Sequence, residues 1–168
     1  MINFEIKMLS NPVSIIKGKK GNYLIFDAPN DKNVGVYGDL LKKEGVVLVV
    51  RTCSKTSSEE YGNGIIVKEC VYDDGGVPSR ENIKLWLNAV RYVFNHRPGS
   101  TIGVHCMAGL GRAPLLVAIA LIEMEDYTCI DAILKVRGER KGAINQKQLT
   151  FLLKYKRSMT TSTTCIVL

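Results

Sequence analysis

The chain has 168 residues, of which 46% are hydrophobic, and its 23 Lys and Arg against 16 Asp and Glu give a net charge of +7. This length suits one domain with a substantial core, and no segment approaches the roughly 18 consecutive apolar residues of a membrane-spanning helix. Residues 1–12 carry Glu5 and lack the long apolar region of a secretory signal, so a reducing, cytosolic setting is expected.

Strand patterns alternate with helix patterns along the chain, which predicts an α/β fold with a mainly parallel sheet. The segment 46–52 (VVLVVRT) is a continuous apolar run rich in β-branched residues, as expected of a buried parallel strand. Asn33 and Ser79 are predicted N-caps, and Gly45 is predicted to end the first helix. The predicted strands are 21–26, 46–52, 65–71 and 101–105, and the predicted helices are 34–44, 80–96, 113–124, 128–137 and 146–155.

The five cysteines are odd in number and widely spaced, so neither a disulfide framework nor a zinc site is expected. Each cysteine is therefore interpreted singly, and no metal or cofactor is predicted. Cys70 and Cys129 are interpreted as structural, which leaves three cysteines with candidate roles. The three are Cys53, Cys106 and Cys165.

Cys106 opens a motif of cysteine, five residues and arginine between a predicted strand and a predicted helix. The backbone amides of such a loop can converge on one anion, and the helix N-terminus adds positive potential. Arg112 can bind two phosphoryl oxygens, and the same field favours a Cys106 thiolate that attacks phosphorus to form a phosphocysteine. A lone motif of this kind would fit a structural cysteine beside a glycine-rich turn, but the preceding His105 and the strand–loop–helix context favour a phosphatase. The predicted phosphate-binding residues are Met107, Ala108, Gly109, Leu110, Gly111 and Arg112.

The segment HCMAGLGRAP carries the signature of protein tyrosine phosphatases and resembles the phosphatases of regenerating liver, the PRL family. That family has alanine after the arginine, here Ala113, and the resemblance extends to VVRTCSKT, DDGGVPS, KGAINQKQL and a C-terminal CaaX box. It implies a cysteine-phosphatase, dual-specificity-like fold, in which a central, mostly parallel sheet is flanked by helices. Residues 1–157 are expected to form the phosphatase domain, acting on phosphorylated protein substrates, and residues 158–168 a flexible polar tail.

A phosphatase also needs a general acid, and the loop YDDGGVPS offers Asp73 and Asp74. From the residues alone, Asp-Asp-Gly-Gly fits ordinary turn chemistry equally well. The resemblance implies that Asp74 is the acid and Asp73 its support. The family carries Trp-Pro-Phe before the aspartates, where this chain has Cys70-Val71-Tyr72.

The resemblance implies two further properties of the site. Relatives outside the family have a hydroxyl at the position of Ala113 that stabilises the departing thiolate, so alanine predicts slow hydrolysis of the intermediate. Cys53, which follows a predicted strand, corresponds to a cysteine that forms a reversible disulfide with the nucleophile. From the residues alone, Cys53 fits a small core residue as well.

The C-terminal Cys165-Ile166-Val167-Leu168 matches a prenylation box, and leucine at its last position favours geranylgeranyl over farnesyl. Seven basic residues against Glu139 give the segment 137–157 a charge of +6. A prenyl group and a basic segment together predict anchoring at an anionic membrane surface, with methylation of the terminal cysteine.

The resemblance implies the cytoplasmic face of the plasma membrane or endosomes, and the cytoplasm when the protein is unprenylated. Homotrimers and docking to a cyclin M-type magnesium transporter are implied as well, the latter as an alternative role for a binding module. No nucleic-acid partner is expected, because basic and aromatic residues do not interleave.

Overall fold

The computed structural model describes residues 9, 11–62 and 64–158. The strands are β1 (Ser14–Lys17), β2 (Asn22–Asp27), β3 (Val46–Arg51), β4 (Ile66–Glu69) and β5 (Thr101–Cys106). The helices are α1 (Val34–Lys43), α2 (Arg80–His96), α3 (Arg112–Glu125), α4 (Cys129–Glu139) and α5 (Gln146–Leu153). The tail that is predicted to be disordered and its Cys165 lie outside the described residues, apart from Ser158.

The five strands form one sheet in the order β1-β2-β5-β3-β4. Strands β2, β5, β3 and β4 run parallel, whereas β1 pairs antiparallel with β2. The predicted α/β fold with a mainly parallel sheet is therefore confirmed. The sequence pattern does not predict β1, because four residues (SIIK) are too few to show a period, and only pairing with β2 identifies them as a strand.

Both faces of the sheet are covered, so the side chains of the central strands alternate between two cores. Tyr23 and Ile25 pack in the larger core with helices α2 to α5, whereas Leu24 and Phe26 pack in a smaller core with α1. Helix α3 is buried along nearly its whole length against β5, α2 and α4, which explains why its sequence is apolar on every side. No helix in the part of the chain that the structure describes is long and apolar enough to cross a bilayer.

Of the two predicted N-cap residues, Ser79 and Asn33, only Ser79 caps its helix with its side chain. Ser79 caps α2 as predicted, because its Oγ accepts from Asn82 N at 3.1 Å within a capping box. Asn33 does precede α1, but its Oδ1 accepts from Asn30 N at 2.8 Å instead of from the helix. Asn33 therefore organises the turn before α1.

The parallel arrangement brings the carboxyl ends of β2, β5 and β3 to one edge of the sheet. Asp27 and Cys106 end two of these strands as paired residues, and Thr52 and Cys53 follow the third. Crevices at this edge are the usual ligand sites of open α/β sheets. The residues predicted to do chemistry meet here.

Candidate active site

The loop predicted to bind phosphate runs from Cys106, the last residue of β5, to Arg112, the first residue of α3. Cys106 is buried, with 3% of its surface exposed. Gly109 has a φ of +65°, and a Cβ at this position would lie 2.8 Å from Phe26 O. Glycine at 109 therefore provides both the left-handed turn and the close approach to β2 that the loop requires.

The carbonyl groups of residues 107–110 are all bound to groups outside the loop. No backbone N–H of residues 107–111 donates to any group in the described parts of the chain. These amides and the N-terminus of α3 are therefore available to one anion. The bonds to the carbonyls are Ala28 N to Met107 O (3.0 Å), Arg140 Nη2 to Ala108 O (3.4 Å), Arg140 Nε to Gly109 O (2.7 Å) and Ile144 N to Leu110 O (2.8 Å).

Arg112 is buried, and contacts among the described residues do not use all of its N–H groups. Its Nη1 donates to Thr52 O and Tyr72 O, both at 3.1 Å, and its Nη2 lies 3.2 Å from Asp74 Oδ1. Its Nε is buried and has no hydrogen-bond partner among the residues that the structure describes. A buried, unsatisfied N–H is unfavourable in the free protein, so this guanidinium is poised to bind an oxyanion.

A second buried arginine, Arg140, supports the loop from below. Its Nη2 lies 2.8 Å from Asp27 Oδ1, and the two side chains are 5% and 6% exposed. Its Nη1 donates to Pro12 O at 2.7 Å, while Asp27 Oδ2 accepts from Asn11 Nδ2 at 2.6 Å. Because the pair is satisfied on several sides, it can tolerate burial and fix the position of the Gly109 carbonyl.

The predicted acid loop forms a tight turn over the site. Gly76 N donates to Asp73 O at 3.0 Å, and Gly75, the third residue of the turn, has a φ of +66°. The two interpretations of Asp-Asp-Gly-Gly are therefore compatible. The four residues form a turn, and this turn places the Asp74 carboxylate beside Arg112. The Asp74 side chain is 82% exposed and contacts Arg112, whereas the exposed Asp73 contributes its carbonyl to the turn.

Tyr72 connects the acid loop to α3. Its hydroxyl donates to Arg112 O at 2.7 Å, and its carbonyl accepts from Arg112 Nη1. Burial raises the pKa of Tyr72 well above its ordinary value, so the hydroxyl remains a donor. Tyr72 stands where the family resemblance implies phenylalanine, and its hydroxyl anchors to α3 a loop that lacks the implied Trp-Pro.

The start of α5 holds the other side of the acid loop. Asn145 Nδ2 donates to Gly75 O at 3.1 Å, and Gln148 Nε2 donates to Gly76 O at 2.9 Å. The same two residues form the capping box of α5. The pattern Asn-x-x-Gln before an apolar run indicates this helix cap in the sequence. The bonds of the two side chains to the acid loop, in contrast, depend on the fold.

His105 and Cys53 lie behind the nucleophile. Cys53 Sγ is 3.9 Å from His105 Nδ1, and Thr52 Oγ1 donates to His105 O at 2.8 Å. Burial lowers the pKa of His105 to about 4, so the imidazole is neutral at pH 7. Burial also raises the pKa of the Cys53 thiol, with an opposing effect from Arg112 and a further rise from Cys106. Cys53 and Cys106 are both free.

The basic segment 137–157 carries less surface charge than its sequence indicates. Arg140 is buried and paired with Asp27, Arg137 donates to the carbonyls of Ala143 and Ile144, and Arg157 Nη1 lies 2.7 Å from Asp126 Oδ1. The charge of +6 counted along the segment therefore overstates the charge that it presents to solvent. Among the described residues, the lysines of this segment, unlike its arginines, form no ion pair or hydrogen bond through their side chains.

Sequence reasoning missed four residues that organise this site. Asp27 showed no local signal beyond its place at a strand end, and Arg140 was counted with the surface charges. Tyr72 was noted only as a departure from the family. Gln148, which is fully buried, had only its capping position as a signal.

Comparisons with known proteins point to phosphatases. A family model described as "Polymorphic toxin system, DSP-PTPase phosphatase" matches residues 26–126. "Protein tyrosine phosphatase PRL-1" of Trypanosoma cruzi is 47% identical over 136 residues, which cover 80% of this chain and 77% of that protein. Human "Protein tyrosine phosphatase type IVA 3" is 44% identical over 142 residues, covering 82% and 80%. The solved structure of a putative protein tyrosine phosphatase from Leishmania major is 36% identical, covers 88% of this chain and 100% of its own, and superposes with a TM-score of 0.78.

Proposed function

This chain belongs to the PRL family of cysteine-dependent protein tyrosine phosphatases, and from that premise we propose that it hydrolyses phosphotyrosine-type monoesters of proteins through a phosphocysteine at Cys106. The observation that carries the proposal is the set of unsatisfied donors at one place. The amides of residues 107–111 and the buried Arg112 Nε have no partner among the described residues. Together they match the oxygens of a phosphoryl group above the Cys106 sulfur.

In the first step, the Cys106 thiolate attacks phosphorus and the bond from phosphorus to the leaving oxygen breaks. Asp74, 3.2 Å from Arg112 in the free protein, moves its proton to that oxygen. In the second step, the Asp74 carboxylate takes a proton from water, whose oxygen attacks phosphorus. The sulfur–phosphorus bond then breaks, and phosphate and the thiolate are released.

Trapping of the intermediate tests this mechanism. Acid quenching of the protein with a phosphotyrosine peptide should yield one phosphate on a peptide containing Cys106. Cys106→Ser should give no labelled peptide. Asp74→Asn should slow hydrolysis of phenyl phosphates by about 10²–10⁴-fold and affect activated esters less. A labelled Cys106→Ser protein would contradict the proposal.

Cys53 is proposed as a redox guard of the nucleophile, because its buried thiol lies on the neighbouring strand end beside His105. Peroxide oxidises the Cys106 thiolate to a sulfenic acid, and Cys53 then displaces water to form a disulfide. Mass spectrometry after mild peroxide should detect a linked Cys53–Cys106 peptide that dithiothreitol removes. Irreversible over-oxidation at equal rates in wild type and Cys53→Ser would exclude this role.

Prenylation of Cys165 is proposed as the anchor to the cytoplasmic face of a membrane, supported by the CaaX sequence and the lysines of the segment 137–157. Cys165→Ser should move the protein to the soluble fraction of cells. Unchanged membrane association of that variant would contradict the anchor. Hydrolysis of a soluble substrate serves as the control for folding.

Docking of a cyclin M-type transporter is proposed as a second function of the same loop. Met107 and Leu110 are 52% and 41% exposed, so the mouth of the phosphate site has an apolar rim suited to a partner's loop. Calorimetry with the transporter's cytosolic domain should show binding that vanadate displaces and Leu110→Glu abolishes. Binding that neither change affects would place the contact elsewhere.

A further inference from the structure

A large groove lies away from the Cys106 loop. It is a groove of about 830 Å³ between α2 and α5, and it begins at Val77 and Pro78, in the second half of the acid loop. This volume is typical of sites for small organic ligands. The groove has an apolar floor that is lined by Val77, Pro78, Ile83, Leu87, Phe151 and Tyr155.

The rim of the groove is strongly basic. Five cations line it and no Asp or Glu does. None of the five has a salt bridge within the described residues. The positive rim suits the anionic head of a ligand, and the apolar floor suits a hydrocarbon chain of the same ligand. The five cations are Arg80, Lys84, Lys147, Lys154 and Lys156.

One wall of the groove is fixed by a buried acid. Glu123 Oε1 accepts from the Tyr155 hydroxyl and from Ser158 N, both at 2.7 Å. The segment after α5 therefore runs along the groove, and the chain leaves the described structure at Ser158, on its wall. Cys165, the proposed lipid site, follows only seven residues later, a reach of at most about 25 Å.

We propose that this groove binds an anionic phospholipid of the bilayer, with the headgroup phosphate on the lysines and an acyl chain on the apolar floor. The charge of the rim and the exit of the tail at the same face favour a lipid over an acidic peptide. The site extends the proposed membrane contact but needs no lipid on Cys165. Binding would bring Val77 and Pro78, and with them the acid loop, to the membrane surface.

Vesicle sedimentation tests whether the lysines of the rim bind anionic lipid headgroups. The full chain with Cys165→Ser, which removes prenylation, should bind equimolar phosphatidylserine and phosphatidylcholine vesicles and not phosphatidylcholine alone. The triple variant Lys84→Gln, Lys147→Gln, Lys154→Gln should lose about 100-fold in affinity, or roughly fivefold per lysine. The control, with equal loss of charge on an exposed region elsewhere, is Lys32→Gln, Lys42→Gln, Lys43→Gln, and it should lose less than about fivefold. Equal losses in the two variants would overturn the site.

Fluorescence quenching tests whether an acyl chain enters the groove. Phe151→Trp places an indole in the groove, whereas the only native tryptophan, Trp86, is fully buried and gives a constant background. Vesicles with brominated acyl chains should quench the new emission. Binding without quenching would overturn the acyl site. Hydrolysis of a soluble aryl phosphate by the lysine variant separates this proposal from the catalytic one, because loss of lipid binding should leave that rate unchanged.

Discussion

Asp27 and Arg140, 113 residues apart in the chain, form a buried ion pair with 2.8 Å between Oδ1 and Nη2. The same guanidinium binds the carbonyls of Ala108 and Gly109. The pair thereby turns two carbonyl groups of the phosphate loop away from the anion site. It also neutralises a positive charge that the sequence assigns to the surface.

Removal of the Asp27 charge should therefore affect both stability and catalysis. Asp27→Asn leaves a buried guanidinium without its counter-ion, which should lower the free energy of unfolding by about 3–5 kcal/mol. Loosening of Gly109 should reduce kcat/KM by about 10–100-fold, since small displacements of a positioned group are costly. Urea unfolding and steady-state kinetics, the latter at a temperature where the variant is fully folded, measure the two effects.

Asp126→Asn provides the control for this variant. Asp126 is 83% exposed and pairs with Arg157 at 2.7 Å, so its loss should cost less than about 1 kcal/mol. Asparagine also tolerates its left-handed φ of 61°. Equal destabilisation by the two substitutions would show that burial of the Asp27–Arg140 pair is unimportant.

Tyr72→Phe should test the anchor between the acid loop and α3. The variant removes only the hydroxyl that donates to Arg112 O, a bond worth about 1 kcal/mol, and restores the residue type that the family resemblance expects. We expect kcat for poor leaving groups to fall about fivefold, with little change for activated esters that need no acid. Equal losses for both classes of ester would instead indicate a general structural effect.

Ala113→Ser should accelerate breakdown of the phosphocysteine. Ala113 is fully buried and directly follows Arg112, and a serine hydroxyl there could stabilise the departing thiolate by about 1 kcal/mol, or roughly fivefold in rate. Rapid-quench kinetics should show a burst in the wild type that shrinks in the variant as steady-state turnover rises. Ala118→Ser, at another buried alanine of the same helix, controls for the added hydroxyl and should leave the burst unchanged.

His105 should make stability fall with acid. Its pKa is lowered to about 4, first by burial and further by Arg51 and Arg112, while the unfolded chain titrates near 6.5. Between these values the unfolded state binds the proton and the folded state does not, so stability decreases as pH falls from 6.5 towards 4. The loss from pH 7 to pH 5 should be about 2 kcal/mol.

Urea midpoints at the two pH values measure this effect. His105→Asn should remove most of the pH dependence, although it also lowers stability at pH 7. His96→Asn, at the exposed end of α2, should behave as the wild type does. A wild-type midpoint that does not change between pH 7 and pH 5 would contradict the assignment.

The sequence by itself determined the elements whose signals are local. Helix α2 begins at Arg80 after the Ser79 cap as predicted, because a capping box and a helical period are properties of neighbouring residues. The phosphate loop is equally local, since Cys106 and Arg112 occupy adjacent strand and helix ends. The roles of the acid-loop aspartates and of the cysteine after β3 came from the family resemblance, because the residues alone fit turn chemistry and a core cysteine equally well.

Only the tertiary structure decided how these pieces are held together. The antiparallel strand β1 exists through its pairing with β2, and Arg140 is a buried support of the loop because Asp27 lies beneath it. Tyr72 and Gln148 anchor the acid loop through bonds to Arg112 O and Gly76 O, which no spacing along the chain reveals. Whether a charged or polar side chain is a surface group or an internal support depends on its burial and its partner, and both are set by residues far away in the sequence.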